Sequence, residues 1–367
     1  MSNRNQQSWM IYGAYGFTGR LVVEEALRRG HRPVLAGRND QHLQAMAQEM
    51  HLPAIPLPLD DPNALQAAAR SVGLIFNAAG PFTETGPKLI KACLNTGTPY
   101  ADCSGEFHHI RAVEALDERP RKARIPILTG AGFGVTFGDC LARHVVDKLP
   151  DATHLRLSVA AGNAQTTSAV RRTILEVMAR GGYAVEGGRW VRRPLAHQLW
   201  TVPDRPAALA FAAAPMGELA AVRRSTHVAN IVVGRPMPAK TAKRIRLLSP
   251  LIQSVLRLAP LRWALGRDRG GPPHTAPEPQ GGWQSRIWAE AWNARGDRVM
   301  ARIETGEGYA STAHAALTNI EALLARTLTG AFTPAQAFGA AHVLTIPGVR
   351  MADLNPEIGL ELEAAYA

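Results

Sequence analysis

Short apolar runs alternate with helical patterns along the first third of the chain, a rhythm typical of a parallel sheet with crossover helices. Glycines stand where two of the helices should end, at Gly30 and Gly97, because the residue after a helix is often left-handed. The pattern predicts strands at 9–12, 33–36, 54–57, 72–77, 100–102 and 125–128, and helices at 18–29, 40–50, 62–70, 85–96 and 107–119. These six strands and five helices predict a doubly wound α/β domain.

The regular alternation ends after residue 138, where longer mixed segments begin. Strands are predicted at 154–159, 227–233, 285–292 and 299–305, and a helix at 312–328. The last two strands flank Asn293-Ala294-Arg295-Gly296-Asp297, which indicates a β-hairpin with a glycine in its loop. We expect a nucleotide-binding domain at 1–135, an inserted α+β substrate domain at 136–308, and a C-terminal helical segment at 309–367 that returns to the first domain.

Composition fits this two-domain interpretation. The chain has 367 residues, of which 46% are hydrophobic and 19% charged, and this excludes a disordered or fibrous protein. Three cysteines without a C-x-x-C pair exclude a disulfide framework and an ordinary zinc site, so we expect no metal. The sequence has no secretory signal and no run of about 18 apolar residues. We therefore expect a cytoplasmic protein.

Positive charge is concentrated in one segment. The formal net charge is +11, and residues 235–271 contribute +8 of it through nine Lys or Arg and one acidic residue. The remaining residues are nearly balanced, unlike a protein that neutralises a phosphate backbone along a whole face. We therefore expect no nucleic-acid partner.

The same basic segment, residues 240–269, has apolar residues at helical spacing, interrupted by Pro250 and Pro260. One interpretation is an amphipathic helix on an anionic bilayer, with Trp263 at the boundary, which would make the protein peripheral on the inner membrane surface. The other is a helix that faces the core or forms a homodimer contact while its cations stay in solvent. The sequence leaves both open.

The strongest motif is a glycine-rich turn, spaced G-x-x-G-x-x-G, between the first predicted strand and helix. Gly13 allows a sharp bend, Gly16 a close approach of the backbone to a pyrophosphate, and Gly19 tight packing of helix on strand. The helix N-terminus then faces the anion. A structural turn is the alternative, but the position on the first strand favours dinucleotide binding. The predicted contacts are Gly13, Ala14, Tyr15, Gly16, Phe17, Thr18 and Gly19.

The end of the second strand indicates which dinucleotide binds. An NAD site usually has an acidic residue there, which accepts hydrogen bonds from the ribose. This chain has Gly37-Arg38-Asn39 instead, and the guanidinium of Arg38 suits a 2′-phosphate and an adenine ring. We therefore predict NADP(H), with a solvated Arg38 as the alternative.

Two further turns follow strands whose carboxyl ends should line the same crevice. After the fourth strand, Asn77, Ala79, Gly80 and Pro81 should bring backbone near the nicotinamide ribose. After the third strand, Asp60 either contacts the adenine amine or caps the helix that begins at residue 62.

Several motifs occur in one order along most of the chain, at 13–19, 36–39, 77–82, 100–106, 132–139, 168–180, 215–218, 225–226, 307–313 and 332–334. In this combination the chain resembles the saccharopine dehydrogenase-like oxidoreductases, and within them the branch of the trans-acting enoyl reductases. The resemblance implies an NADP-binding Rossmann domain, an inserted catalytic domain, and C-terminal helices that return to the first domain. The chain departs from the family at Tyr15, where a small residue is frequent.

A nicotinamide reductase also needs a group that delivers a proton to the reduced bond. Asp102, at the end of a central strand, is the first catalytic candidate; the alternative is a helix cap or a buried hydrogen bond to the loop at Gly132. Tyr309, which follows Gly308, is the second, because flanking glycines let a phenol approach a ligand; the alternative is packing under the returning helix. Further candidates just beyond Asp102 are Ser104, Glu106, His108 and His109.

The resemblance implies an NADPH-dependent reductase of a conjugated C=C bond in an acyl or other hydrophobic, carrier-bound small-molecule substrate. Saccharopine-type relatives imply a second possibility, the reduction of a C=N bond, for which Arg171-Arg172 or Arg223-Arg224 would bind substrate carboxylates. A third possibility is a non-catalytic NADP-binding or membrane-surface protein.

Overall fold

Two compact units make up the chain. The computed structural model describes residues 8–116, 118–162, 168–202, 209–256 and 285–354. The first unit contains the described residues up to Thr136, with Tyr309–Gly339 and Thr345–Pro347. The second contains the described residues of Phe137–Gly308, with Ala340–Leu344 and those from Gly348 onward.

Strands and helices alternate in the first part of the chain. The strands are β1 (Met10–Tyr12), β2 (Val34–Gly37), β3 (Ala54–Pro56), β4 (Ile75–Asn77), β5 (Tyr100–Asp102) and β6 (Pro126–Leu128). The helices are α1 (Phe17–Arg28), α2 (Asp40–Met50), α3 (Pro62–Arg70), α4 (Phe82–Thr96), α5 (Phe107–Glu114) and α6 (Glu118–Ala123). The single helix expected at 107–119 is thus two helices, because Pro120 lacks an N–H and is tolerated only in the first turn of α6.

The middle of the chain is richer in strands. Its helices are α7 (Phe133–Lys148), α8 (Ser168–Arg180), α9 (Gly217–Thr226) and α10 (Ala239–Leu256). Its strands are β7 (His154–Ala160), β8 (Gly182–Glu186), β9 (Arg189–Arg193), β10 (Leu199–Trp200), β11 (Leu209–Ala213), β12 (Asn230–Pro238), β13 (Ser285–Trp292) and β14 (Arg298–Thr305). Contrary to our expectation, Pro250 does not interrupt α10, and the helix has buried side chains on both sides of the proline, at Ala242 and Leu256. Pro260 and Trp263 lie outside the described residues.

The last part of the chain contributes to both units. It forms α11 (Gly308–Leu324), β15 (Gly330–Phe332), α12 (Pro334–Phe338), a 3₁₀ helix (Ala340–Thr345) and β16 (Arg350–Leu354). The strand β16 differs from the helical segment expected at 309–367, since it pairs with β14 and extends the second sheet. Residues 355–367 of that expected segment lie outside the described part.

The first sheet has seven parallel strands in the order β15-β6-β5-β4-β1-β2-β3. Six strands were expected; the seventh, β15, pairs with β6 after the chain has returned from the second unit. The register places Tyr12 beside Asn77, and Asn77 beside Asp102. The carboxyl ends of neighbouring strands therefore lie at one edge, where doubly wound folds bind ligands.

Helices cover both faces of this sheet. Ile11 and Phe76 face one layer, Met10 and Ile75 face the other, and all four side chains are fully buried. Leu317 of α11 belongs to the same apolar cluster as Ile11. Strands covered on both faces have continuous apolar runs, which is why the sequence pattern detected them. The expected Rossmann-type fold is confirmed.

The second sheet is mixed, as the predicted α+β character requires. Its main path is β10-β11-β12-β7-β13-β14-β16, with β8 beside β12 and β9 beside β8. The expected hairpin joins β13 and β14: Asn293 Oδ1 accepts hydrogen bonds of 3.0 Å from the N–H groups of Arg295 and Asp297, and Gly296 has a φ of +91°. Across the described ranges of both units, no helix has the length and apolar character needed to span a bilayer.

Candidate functional site

The glycine-rich turn is a sharp bend between β1 and α1. Gly13 has a φ of +83°, a left-handed value that favours glycine. Its N–H donates to the carbonyl of Ala36 at 2.8 Å, and the N–H of Gly16 donates to the carbonyl of Gly13 at 3.0 Å. The turn is therefore tied to β2 and closed on itself before α1 begins. Its other members are buried Ala14 and half-buried Tyr15, Phe17 and Thr18.

Two of the three glycines leave no room for a side chain. A Cβ on Gly19 would lie 2.1 Å from the carbonyl oxygen of Gly13, and a Cβ on Gly13 would lie 2.7 Å from the Cβ of Ala79. At exposed Gly16 the nearest atom is the carbonyl oxygen of Gly13, at 3.2 Å. Gly13 and Gly19 thus permit internal packing, whereas Gly16 leaves the space at the helix N-terminus open.

The N-terminus of α1 differs from those of the next three helices. Side chains of Asn39, Asp61 and Glu106 accept hydrogen bonds from N–H groups in the first turns of α2, α3 and α4, respectively. The N-cap of α1 is Gly16, which has no side chain to do so. The partial positive charge of a helix N-terminus suits an anion.

Tyr15 connects the glycine turn to the turn between β2 and α2. Its ring lies against Gly37, where an added Cβ would come within 2.5 Å of a ring carbon. Its hydroxyl accepts a hydrogen bond of 3.1 Å from the N–H of Asn39, and its ring meets that of His42 edge to face at 5.8 Å between centroids. A small residue could not make these contacts, so Tyr15 shapes the turn that carries Arg38.

Arg38 is exposed at this turn and makes no hydrogen bond or ion pair with any described residue. Burial, followed by the nearby phenol of Tyr15, raises the pKa of Tyr12 to about 12; Arg38 lowers this pKa and Asp60 raises it. Arg38 and Asp60 therefore act on the same phenol at the end of β1. Since Asp61 is the residue that caps α3, Asp60 does not take the capping role that the sequence left open.

Asn77 is fully buried and organises the turn after β4. Its amide nitrogen donates to Thr85 Oγ1 at 3.0 Å, and its Oδ1 accepts from the N–H of Ala79 at 3.0 Å. Thr85 Oγ1 in turn donates to the carbonyl of Ala79 at 2.7 Å. The backbone that touches the glycine turn is thus held from both sides, and exposed Gly80 and half-buried Pro81 follow it.

Asp102 is fully buried. One carboxylate oxygen accepts hydrogen bonds from the N–H groups of Ser104 at 3.0 Å and Gly130 at 3.1 Å, and the other lies 2.7 Å from Nε2 of His109. Burial lowers the pKa of His109, but Asp102 and Glu106 outweigh it, so the pKa is raised. The geometry matches the alternative that the sequence left open for Asp102, a buried hydrogen bond to the loop before α7.

Glu106, a further candidate acid, makes hydrogen bonds within the fold. Its carboxylate oxygens accept from the N–H groups of Phe82 and Thr83, both at 2.9 Å. Pro81, the N-cap residue of α4, makes no side-chain hydrogen bond there. Glu106 therefore fixes the start of α4 and with it the turn that carries Pro81.

Tyr309 lies beside the glycine turn. It stands at the start of α11, and its ring meets that of Phe17 edge to face with 4.7 Å between centroids. Phe17 is the first residue of α1, so the structure brings a late residue of the chain next to the predicted cofactor contacts. Of the two catalytic candidates, half-buried Tyr309 has this position, whereas Asp102 is enclosed.

Some residues of this region were not predicted from the sequence. Tyr12 directly precedes the first glycine of the turn, and its place at the end of the first strand could have marked it as a site residue. Thr85 and Tyr100, both hydrogen-bonded to Asn77, stand inside elements where no local pattern marks them. Among the residues that the structure describes, no group of three or more His, Cys, Asp or Glu side chains is arranged to hold a metal ion.

Residues 9–126 match the family model described as Saccharopine dehydrogenase NADP binding domain. The first unit thus contains an NADP-binding domain of the saccharopine dehydrogenase type. The predicted cofactor, NADP(H), is confirmed by this match, and so is the resemblance on which the family prediction rested.

Curated relatives of the chain carry the name trans-acting enoyl reductase. One from Mycobacterium bovis is 30% identical over 132 residues, which are 34% of this chain and 32% of the relative. A putative trans-acting enoyl reductase from Mycobacterium tuberculosis is 36% identical over 132 residues, with the same two shares. The matched region of the chain therefore spans about a third of the length of these relatives.

A solved structure extends the likeness beyond the first unit. Apo saccharopine dehydrogenase (L-Glu forming) from Saccharomyces cerevisiae superposes with a TM-score of 0.65 at 13% identity, covering 95% of this chain and 100% of the yeast chain. At that identity the likeness shows a shared fold. The fold of the saccharopine dehydrogenases thus covers nearly the whole chain.

Proposed function

We propose that the chain is an NADPH-dependent reductase of a conjugated C=C bond in an acyl or other hydrophobic, carrier-bound substrate. The NADP-binding domain carries the proposal, and the relatives named trans-acting enoyl reductase suggest the reaction class. Because the chain matches only about a third of the length of those relatives, both the reaction and the substrate are proposals for this chain.

Residues of the first unit are suited to hold NADP(H). The open space at Gly16 and the N-terminus of α1 suit the pyrophosphate, and the exposed guanidinium of Arg38 suits the 2′-phosphate. Tyr15 would keep Arg38 in place through its contacts with Gly37 and Asn39. The cofactor supplies a hydride when bound, and these residues bind and orient it.

Tyr309 is the residue that we propose as proton donor. Its ring contacts Phe17 of the glycine turn, and a phenol can act as a general acid. Asp102 would act as a positioning residue, because Ser104, Gly130 and His109 enclose its carboxylate. It would keep the loops at the edge of the sheet in place without touching the substrate.

Reduction of a C=N bond is the second candidate, suggested by the name of the matching NADP-binding domain. Such a substrate would need arginines for its carboxylates. Arg223 stacks over the ring of Trp190 at 4.9 Å and donates to the carbonyl of Gly188 at 3.2 Å, so this side chain is engaged within the second unit. The side chains of Arg171 and Arg172 lie outside the described residues. The contacts of Arg223 argue against this side chain as a ligand of a substrate carboxylate.

The experiment incubates purified protein with NADPH and, separately, enoyl thioesters, enones and imines, and follows the loss of absorbance of the reduced nicotinamide. Oxidation with enoyl thioesters or enones would support the proposal. Oxidation with imines alone would assign C=N reduction. Binding of NADPH without turnover on any of these substrates would favour the non-catalytic alternative and contradict the proposal.

A further inference from the structure

Helix α10 exposes an apolar stripe. Among the large apolar side chains that are exposed in the described ranges, four lie on this helix: Leu247 (81% exposed), Leu248 (47%), Leu251 (61%) and Val255 (43%). Ile174, on the adjacent helix α8, is 42% exposed. Single exposed apolar residues are common on protein surfaces, whereas a contiguous group is typical of an interaction surface.

The opposite face of α10 anchors the helix in the second unit. Ala242 is fully buried and clusters with Ala196 and Ala212. Ser249 is also fully buried, and its Oγ accepts a hydrogen bond of 3.0 Å from the N–H of Leu195. Ala242 and Ser249 are seven positions apart, about two helical turns, so both lie on the same face of α10. The apolar stripe therefore faces away from the unit and cannot turn inward without breaking these contacts.

The charge on α10 has a single sign. The helix has no Asp or Glu from Ala239 to Leu256, and four exposed cations precede the apolar stripe: Lys240, Lys243, Arg244 and Arg246. Cations at headgroup level beside an apolar stripe complement an anionic bilayer. A second copy of this helix would bring the same cations together without a carboxylate to pair them. The charge pattern therefore favours lipid over a dimer contact.

We propose that α10 and Ile174 form a peripheral membrane-binding surface for an anionic phospholipid bilayer. The stripe of Leu247, Leu248, Leu251 and Val255 enters the boundary between headgroups and acyl chains, and the basic residues contact the headgroups. Residues 257–269, the remainder of the predicted basic segment, lie outside the described residues. Lipid binding by this surface is independent of the proposed reaction.

Flotation of the full chain with vesicles tests this surface. The parent protein should float at low salt with vesicles of phosphatidylcholine and phosphatidylglycerol, and much less with phosphatidylcholine alone. Exchange of two exposed leucines, Leu247→Gln with Leu251→Gln, should lower the partition coefficient at least about tenfold. The pair Lys243→Gln and Arg244→Gln should lower it roughly thirtyfold, since each cation near the surface contributes a factor of about five.

Leu344→Gln is the matched control, because Leu344 is an exposed leucine (50%) outside α10. This variant should float like the parent, and all variants should bind NADPH with parental affinity if they are folded. Absence of parental binding to anionic vesicles at low salt would overturn the proposal, as would parental flotation of the double leucine variant. A dimer seen by light scattering that the leucine exchanges dissociate, without lipid binding, would assign the stripe to a second copy of the chain.

Discussion

Alanine in place of Gly19 tests the packing role of the glycine turn. The new Cβ would lie 2.1 Å from the carbonyl oxygen of Gly13, whereas an ordinary contact begins at 3.4 Å. The start of α1 must therefore shift by roughly 1.3 Å against the backbone of β1. Overpacking of this kind costs about 3 kcal/mol in unfolding free energy, which corresponds to a melting temperature lowered by roughly 6–12 °C.

Alanine in place of Gly16 tests the binding role of the same turn. The carbonyl oxygen of Gly13 lies 3.2 Å from the new Cβ, and φ −70° with ψ 160° suits alanine. The free energy of unfolding should fall by only about 1 kcal/mol, because glycine is the better N-cap residue. The added methyl group would occupy the space proposed for the pyrophosphate, so the Kd for NADPH should rise at least about tenfold, or ~1.4 kcal/mol.

Two measurements separate these effects. Thermal unfolding without cofactor reports the packing cost, and titration with NADPH, followed by calorimetry, reports the binding cost. Each variant is the control for the other, because only the Cβ of Gly19→Ala would collide with the backbone. A Gly16→Ala variant with parental NADPH affinity would refute the placement of the pyrophosphate, and a Gly19→Ala variant with parental melting temperature would refute the packing argument.

Three further predictions concern single side chains. Arg38→Ala should raise the Kd for NADPH about tenfold or more and leave that for NADH unchanged in parallel titrations, since only NADPH has the 2′-phosphate; equal losses would point to a structural role. Tyr309→Phe keeps the aromatic ring, so NADPH affinity should persist while turnover falls at least about tenfold; parental turnover would exclude the phenol as proton donor. Burial raises the pKa of Glu25, but hydrogen bonds from two arginines and His314 lower it from 4.5 to about 2. The ionised carboxylate therefore stabilises the fold above pH 4.5, and this contribution is lost as the pH falls toward 2. Glu25→Gln should lower the unfolding free energy by about 1–2 kcal/mol at pH 7 and by little near pH 2 in denaturant titrations; a difference that is the same at both pH values would contradict this linkage.

Local signals made much of the first unit predictable. Strands covered on both faces consist mainly of apolar residues, so the apolar run that includes Met10 and Ile11 predicts β1 directly. Gly13 has a left-handed φ, and Gly19 packs so closely on the carbonyl of Gly13 that a side chain does not fit. Both reasons for a glycine therefore lie within seven residues of sequence. The placement of Arg38 at the end of β2 is equally local. The exposed stripe on α10 was different, because the sequence could not show which apolar face the fold would cover.

What the amino-acid sequence determined by itself is thus the parallel sheet and the glycine turn, and it also predicted NADP(H); each of these depends on residues close together in the chain. Only the tertiary structure decided the roles of polar groups whose partners are distant. Asp102 ends a strand as a candidate acid should, yet the loop at Gly130 and the ring of His109 enclose it. Tyr309 meets Phe17 only because α11 returns to the first unit. The physical reason is that a buried polar group must find its hydrogen-bond partners wherever packing places them, and the spacing of residues along a chain does not encode those distances.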